Sequence, residues 1–170
     1  MKLIILGPPG AGKGTQASIL EKKLKISHIS TGEIFRENIK NNTKLGQQVK
    51  RYLENGELVP DEIVIEMTIN KLKEAINNNE GYILDGFPRT IRQAEALENQ
   101  DITPQAVIMI NLSEDECVNR LSSRRYCPHC SATYNIIYNP PKKDEICDIC
   151  GHKLIPVSYT HLTLPTICSV

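Results

Sequence analysis

The chain opens on a short apolar run, Leu3-Ile4-Ile5-Leu6, closed by Gly-Pro-Pro and followed by a helical stretch from "GKGTQ" to "EKKL". A continuous apolar run bounded by a turn predicts a buried parallel strand. "SHISTGEIF" predicts a short second strand, after which Ser30 and Glu33 are spaced as a capping box for a helix. "KLGQQVKRYLENG" predicts another helix closed by Gly56, and Pro60-Asp61 opens a longer amphipathic one through "EIVIEMTINKLKEAI". "GYILDG" predicts a strand ending on Asp85, and "AVIMINL", residues 106–112, a further buried strand. Ser113 and Glu116 then form a second capping box before "CVNRLSSRR". Strands alternating with helices imply an α/β fold with a parallel sheet. From Tyr126 the texture changes to Cys, Pro, Lys and Asp, which marks a small inserted module.

Composition narrows the functions open to such a fold. At 170 residues the chain fits one domain with a real core. Twenty basic residues balance twenty acidic ones, so no nucleic acid or anionic membrane is expected as an obligatory partner. No apolar stretch reaches the length of a signal or a membrane span, so the expected compartment is the reducing cytoplasm. There, six cysteines read as metal ligands or thiols before disulfides.

Two motifs carry chemistry. Gly7-x4-Gly12-Lys13 lies between a predicted strand and a predicted helix, the setting a phosphate-binding loop requires. Glycines let consecutive backbone N–H groups face one anion, the helix N-terminus adds its dipole, and Lys13 reaches the outer phosphates. The expected ligand is a nucleoside triphosphate. The generic motif places Ser or Thr directly after the lysine; here Gly14 intervenes and the hydroxyl comes at Thr15, which puts direct metal ligation by that hydroxyl in doubt. The second motif is Cys127-x2-Cys130 with Cys147-x2-Cys150, spaced as a structural zinc knuckle pair. Four thiolates would close a tetrahedral site and staple a module too small to fold on its own core. Spacing does not separate zinc from iron, and two redox dithiols are the weaker alternative because neither pair opens a helix. His129 and His152 are surplus once four sulfurs are counted, and Cys117 reads as a small buried residue.

Four blocks, "GPPGAGKGTQ", "STGEIFR", "DGFPRTIRQAE" and "RLSSRRYCPHC", occur in the order and spacing of the adenylate kinases, and from residue 1 to about 155 the chain resembles that family. The cysteine quartet resembles the zinc-bearing lid of many bacterial members. The resemblance implies a P-loop parallel sheet flanked by helices (1–29 and 60–120), a nucleoside-monophosphate-binding insert (30–59) and a zinc lid (121–156). It also implies a monomeric enzyme that converts ATP and AMP into two ADP with Mg²⁺. Phosphoryl transfer asks mainly for positioning and for cations around two polyphosphates, and Lys13, Arg36, Arg89, Arg120 and Arg124 would supply them. By resemblance, Lys13, Arg89 and Arg124 are catalytic. ATP would meet Gly10, Ala11, Gly12, Lys13, Gly14 and Thr15 of the loop, then Arg120, Arg124, Thr133 and Tyr134. AMP would meet Thr31, Gly32, Arg36, the backbone of Glu57, Leu58 and Val59, and Gly86, Phe87, Pro88, Arg89 and Gln93. Arg89 and Gln93 would share one face of a helix started by Pro88, the guanidinium on phosphate and the amide on adenine. Asp85 would orient water around Mg²⁺. For Arg125 the competing expectation is a basic residue satisfying its own helix C-terminus.

Other classes weighed are a CMP- or UMP-type kinase, a zinc-ribbon nucleic-acid-binding module and a GTPase switch. Thr31 and Gln93 favour AMP, the charge balance speaks against nucleic acid, and no Asn-Lys-x-Asp element appears. The end of the chain departs from the family. "VSYTHLTLPT", residues 157–166, has no amphipathic period and matches one reading frame of a transposon-end sequencing adapter. Residues 157–170 are therefore expected to be a scar standing where the last strand and the C-terminal helix would follow. The expected consequences are an unpaired edge on the 106–112 strand and a chain of low stability and activity.

Overall fold

The computed structural model describes residues 1–55, 57–100, 102–130 and 132–157. They fall into two compact units, Met1–Gly7 with Gly12–Ile110, and Pro8–Ala11 with Asn111 onward.

The first unit is built on four parallel strands, β1 (Lys2–Leu6), β2 (Ser27–Ser30), β3 (Tyr82–Asp85) and β4 (Ala106–Met109), in the order β2-β3-β1-β4. Alternation along the strands assigns each side chain to a face. Ile4, Tyr82, Leu84 and Ile29 point into a large cluster with Val49, Met67, Leu72, Phe87 and Leu97, drawn from α3 (Lys44–Glu54), α4 (Asp61–Asn77), α5 (Ile91–Glu98) and the loop after β3. Leu3, Ile5 and Ile83 point the other way and pack with Ala17 and Ile26, at and just after α1 (Lys13–Leu24). Both faces are covered, so β1 and β3 can be apolar at nearly every position; each fully buried Leu, Ile or Phe contributes about 1.5–3 kcal/mol. α2 (Thr31–Lys40) packs on α3 and α4.

Several expectations need correcting. Residues 106–112 were expected to form a buried strand, but β4 stops at Met109 and lies at the sheet edge, with Val107 and Met109 each 56% exposed. An apolar run records that one face can be buried and does not say how many neighbours the strand has. Among the described residues β4 pairs with β1 alone, and the expected unpaired edge turns on residues outside them. Ser30 is the N-cap of α2, but its side chain makes no capping bond. Pro88 does not start a helix: α5 begins at Ile91, because the Thr90 hydroxyl accepts from the Gln93 amide and sets the N-cap there. Helix α3 ends at Glu54 with Asn55 as its C-cap, and Gly56 lies outside the described residues.

The second unit holds α6 (Glu114–Ser122) and an antiparallel sheet of β5 (Arg124–Tyr126), β6 (Thr133–Asn135) and β7 (Ile155–Pro156), ordered β6-β5-β7. Ser113 caps α6 through its side chain, one half of the expected capping box, while the Glu116 carboxylate accepts from Arg120 and Tyr138. The core of this sheet is Cys127, Tyr134, Cys147 and Leu154, with Cys130, Ala132 and Cys150 packed against it. The expectations for the tail fall almost wholly on 158–170, outside the described residues. Among the described residues no helix is long and apolar enough to cross a membrane.

Candidate active site and metal centre

The glycine loop is shaped by backbone demands that side chains cannot meet. Gly7, Gly10 and Gly12 all have positive φ (145°, 82° and 86°), the region glycine enters without penalty. A Cβ on Gly7 would stand 2.5 Å from the Ile110 carbonyl oxygen, so only glycine lets β1 turn there. Gly12 is the N-cap of α1 and offers no side-chain cap, and no acidic residue sits in the first turn. The positive end of the α1 dipole therefore meets no carboxylate in its own first turn, which suits it to an anion. Lys13 Nζ donates to the Gly7 carbonyl at 2.7 Å, so the ammonium is folded across its own loop. Asp85, at the end of β3, lies beside the helix start: a Cβ on Gly14 would meet Asp85 Oδ2 at 3.4 Å. The same oxygen is 3.4 Å from His28 Nε2, with both side chains nearly buried. That hydrogen bond raises the His28 pKa; burial opposes it, and the charge of Asp85 adds to it. His28 was not singled out from the sequence, because its partner is 57 residues away.

Around Gly86 the second cluster is tightly wired. Gly86 has φ 80°, and a Cβ on it would come 2.9 Å from both Arg89 Nη2 and Thr31 Oγ1. Its carbonyl accepts from Arg89 Nε at 2.8 Å and from Thr31 Oγ1 at 3.2 Å. Thr31 is buried at the start of α2, whereas Arg89 and Arg36 are exposed. A Cβ on Gly32 would sit 3.4 Å from Arg36 Nη1, which places that guanidinium over the first turn of α2. Gln93 is buried and already engaged: its Oε1 accepts from the Arg89 amide at 2.7 Å, and its Nε2 donates to Asp61 Oδ1. Asp61 Oδ2 also accepts from the Thr90 hydroxyl at 2.8 Å. Arg89 and Gln93 are thus joined through backbone and amide and do not lie on a shared helix face. Glu57 and Leu58 are exposed, and the Glu57 amide donates to Tyr52 O; Val59 packs on the core. Phe87 is buried, and Pro88 follows it through a cis peptide bond.

In the second unit Gly10 sits against α6, where a Cβ would meet Arg120 Cβ at 3.3 Å. Arg120 Nε donates to Glu116 Oε1 at 2.8 Å, its guanidinium lies 5.0 Å over the Tyr138 ring, and the Tyr138 hydroxyl donates to the same carboxylate. These two bonds, Tyr138 first and Arg120 second, lower the Glu116 pKa. The i,i+4 spacing of Glu116 and Arg120 was the signal for this pair. Arg124 opens β5, paired with Asn135. Arg125 donates to the carbonyls of Ser122 and Arg124, closing the end of α6 as the structural expectation for it held. Thr133 is exposed, whereas the Tyr134 side chain is buried, which leaves Tyr134 its backbone for a ligand.

The four cysteines converge. Sγ–Sγ distances are 3.4 Å for Cys127–Cys150, 3.4 Å for Cys130–Cys147 and 3.5 Å for Cys130–Cys150, far beyond a disulfide bond of about 2.05 Å. All four are free thiols grouped tightly enough to hold a metal ion. The Tyr134 hydroxyl lies 3.5 Å from Cys147 Sγ and accepts from the Asp148 amide at 2.9 Å. Burial pushes the Cys147 thiol up, but Tyr134, the amides of Cys150 and Ile149 and the Cys130 sulfur outweigh it and bring Cys147 to about 6. Cys150 moves the opposite way: the His152 amide lowers it, while burial and the three other sulfurs push it up to about 12. Sulfur beside sulfur thus favours the thiolate on Cys147 and the thiol on Cys150. His129 and His152 stack face to face beside it, ring centroids 3.9 Å apart.

Comparison with known proteins agrees with this arrangement. The family model "Adenylate kinase" matches residues 5–154. The chain is 54% identical over 160 residues to the adenylate kinase of Lachnospira eligens, covering 91% of this chain and 74% of the relative. It is 52% identical over 158 residues to that of Caldicellulosiruptor saccharolyticus and 49% identical over 159 residues to that of Ruminiclostridium cellulolyticum, covering 91% of this chain in both cases and 73% and 74% of the relatives. With its loop, its parallel sheet and its cysteine cluster in family order, the chain belongs to the adenylate kinase family of phosphotransferases.

Proposed function

We propose that the chain catalyses ATP + AMP ⇌ 2 ADP. A phosphate oxygen of AMP attacks the γ-phosphorus of ATP, the bond from that phosphorus to the β,γ-bridging oxygen breaks, and ADP leaves as the second ADP forms. The nucleophile is already an anion, so no side chain is asked to take a proton. The observation that carries the reading is the uncapped start of α1 behind Gly10 and Gly12, with Lys13 on the loop and Asp85 beside Gly14.

The loop residues Gly10 to Thr15 receive the donor phosphates, and Lys13 leaves the Gly7 carbonyl to stabilise charge on the moving phosphoryl group. Arg120, Arg124, Thr133 and Tyr134 complete donor binding. Segment 30–59 forms the acceptor insert with Thr31 and Arg36 and the backbone of 57–59; Gly86 to Pro88 shape its floor, and Arg89 clasps the AMP phosphate. Gln93 reads adenine with the N–H and the lone pair left after its bonds to Asp61 and Arg89. The charge of Mg²⁺ would neutralise the donor phosphates, with Asp85 orienting its waters. Cys127, Cys130, Cys147 and Cys150 would hold a structural Zn²⁺: four sulfurs at about 2.3 Å from one ion stand about 3.8 Å apart, a small expansion of the observed cluster. The lid 121–156 then closes as a stapled piece that keeps water from the γ-phosphate. The enzyme is a cytoplasmic monomer that does not need nucleic acid. A coupled assay with AMP, CMP, UMP and GMP as acceptors tests the reading. ADP formation selective for AMP is expected, and preference for a pyrimidine acceptor or no transfer at all would overturn it.

A further inference from the structure

The two histidines left over from the quartet are not scattered polar residues. His129 lies inside the first Cys-x2-Cys turn and His152 two residues after the second, yet their rings stack 3.9 Å apart with planes 5° from parallel. Both are exposed, and each can bring a ring nitrogen within 4.8 Å of the other's and of Cys150 Sγ. His152 Nδ1 lies 3.1 Å from the Cys150 carbonyl. A carbonyl only accepts, so Nδ1 carries the hydrogen and the lone pair of the neutral ring sits on Nε2. A ring nitrogen donating to a backbone carbonyl while the other stays available is the usual bearing of a metal-ligating histidine.

We propose that His129, His152 and Cys150 form a second, exchangeable site for a borderline divalent ion such as Zn²⁺, with water in its open position. Ligand nitrogens and sulfur around one tetrahedral ion stand about 3.3–3.8 Å apart, and the two rings, both exposed, have to turn out of their parallel stack for their lone pairs to converge on it. Three protein ligands and a solvent position make a site that exchanges, unlike a closed quartet. Cys150 is the shared element: its sulfur is 3.4 Å from Cys127 Sγ and 3.5 Å from Cys130 Sγ. A thiolate has lone pairs for two ions, so the site lies where an ion could pass between solvent and the quartet without losing all its protein ligands. The inference rests on the quartet taking an ion of its own.

The test is a count of ions. The full chain, kept reduced with a phosphine, is dialysed against buffered excess Zn²⁺, and zinc per chain is measured for the wild type and for H129Q/H152Q. The expected counts are two and one. Equal counts in both proteins would overturn the site, and so would a fall from two to none, which would make the histidines part of the first site. A fall from one to none, with C127S/C147S leaving the wild-type count unchanged and Cys150→Ser abolishing it, would keep the histidine site and remove the quartet reading. A shift of the His152 Nε2 resonance on the second equivalent, absent from His152→Gln, provides the independent readout; no shift counts against the site.

Discussion

The two units are held together by different physics. In the first, apolar side chains leave a parallel sheet on both faces, and the candidate residues Lys13, Thr31 and Asp85 stand at strand ends and helix starts of that core. In the second, the core of the small sheet is three strands around four sulfurs, one tyrosine and one leucine. A core of that size offsets little of the entropy of ordering its loops, so an ion held by the sulfurs, as proposed above, would carry its folding. The contrast teaches that the apolar core of the first unit and the sulfur cluster of the second are separate variables, and each can be disturbed without the other.

The largest effect that would break the comparison comes from metal removal. Apparent binding free energies of about 10–16 kcal/mol for structural zinc are also folding free energy. Chelation should therefore open the 124–156 region to protease while Met1–Ile110 stays resistant; an unchanged cleavage pattern would show that the second unit does not depend on its sulfurs. Next comes Lys13→Ala, which touches neither core. A loss of about 10²–10³-fold in kcat is expected, with the melting temperature retained; undiminished turnover would sink the loop reading. Leu84→Ala attacks the first unit alone and should cost about 2–5 kcal/mol in denaturant unfolding without reducing zinc per chain. Thr90→Ala removes the α5 cap and one Asp61 bond, costing about 1 kcal/mol and raising KM for AMP more than it lowers kcat. The smallest effect is that of pH on His28. Its pKa is raised on folding, so the stabilisation is full below the unfolded value of 6.5 and is lost as pH rises through the folded value. The stability gap between wild type and His28→Gln should accordingly shrink from mildly acidic to alkaline pH, and a gap that widens would contradict the pairing with Asp85.

What the sequence made legible were features with short-range causes. The glycine loop, the Ser113 cap, the Pro60-Asp61 helix start and the paired Cys-x2-Cys turns are all decided within a few residues, and all are present. Failures came where a local signal met a distant partner. The run at 106–112 reads the same in the middle of a sheet as at its edge. Pro88 is a good first helical residue, but the Thr90 hydroxyl, supported by Asp61, sets the cap two residues later. Gln93 looked available for a base; its engagement with Asp61 depends on a helix start 32 residues earlier in the chain. The same holds for Arg120, read from the sequence as a nucleotide contact, whose pairing with Glu116 and the Tyr138 ring came only with the structure.

Tyr134 turns its phenol away from solvent and onto Cys147, and the chain has no tryptophan to mask it. The ultraviolet emission of this protein therefore belongs to its tyrosines alone, and one of them is wired to the sulfur most ready to ionise. A cation held by the four sulfurs, as proposed above, would change the electronic surroundings of that ring. Occupancy of the centre can thus be followed optically, without a label, in the native chain.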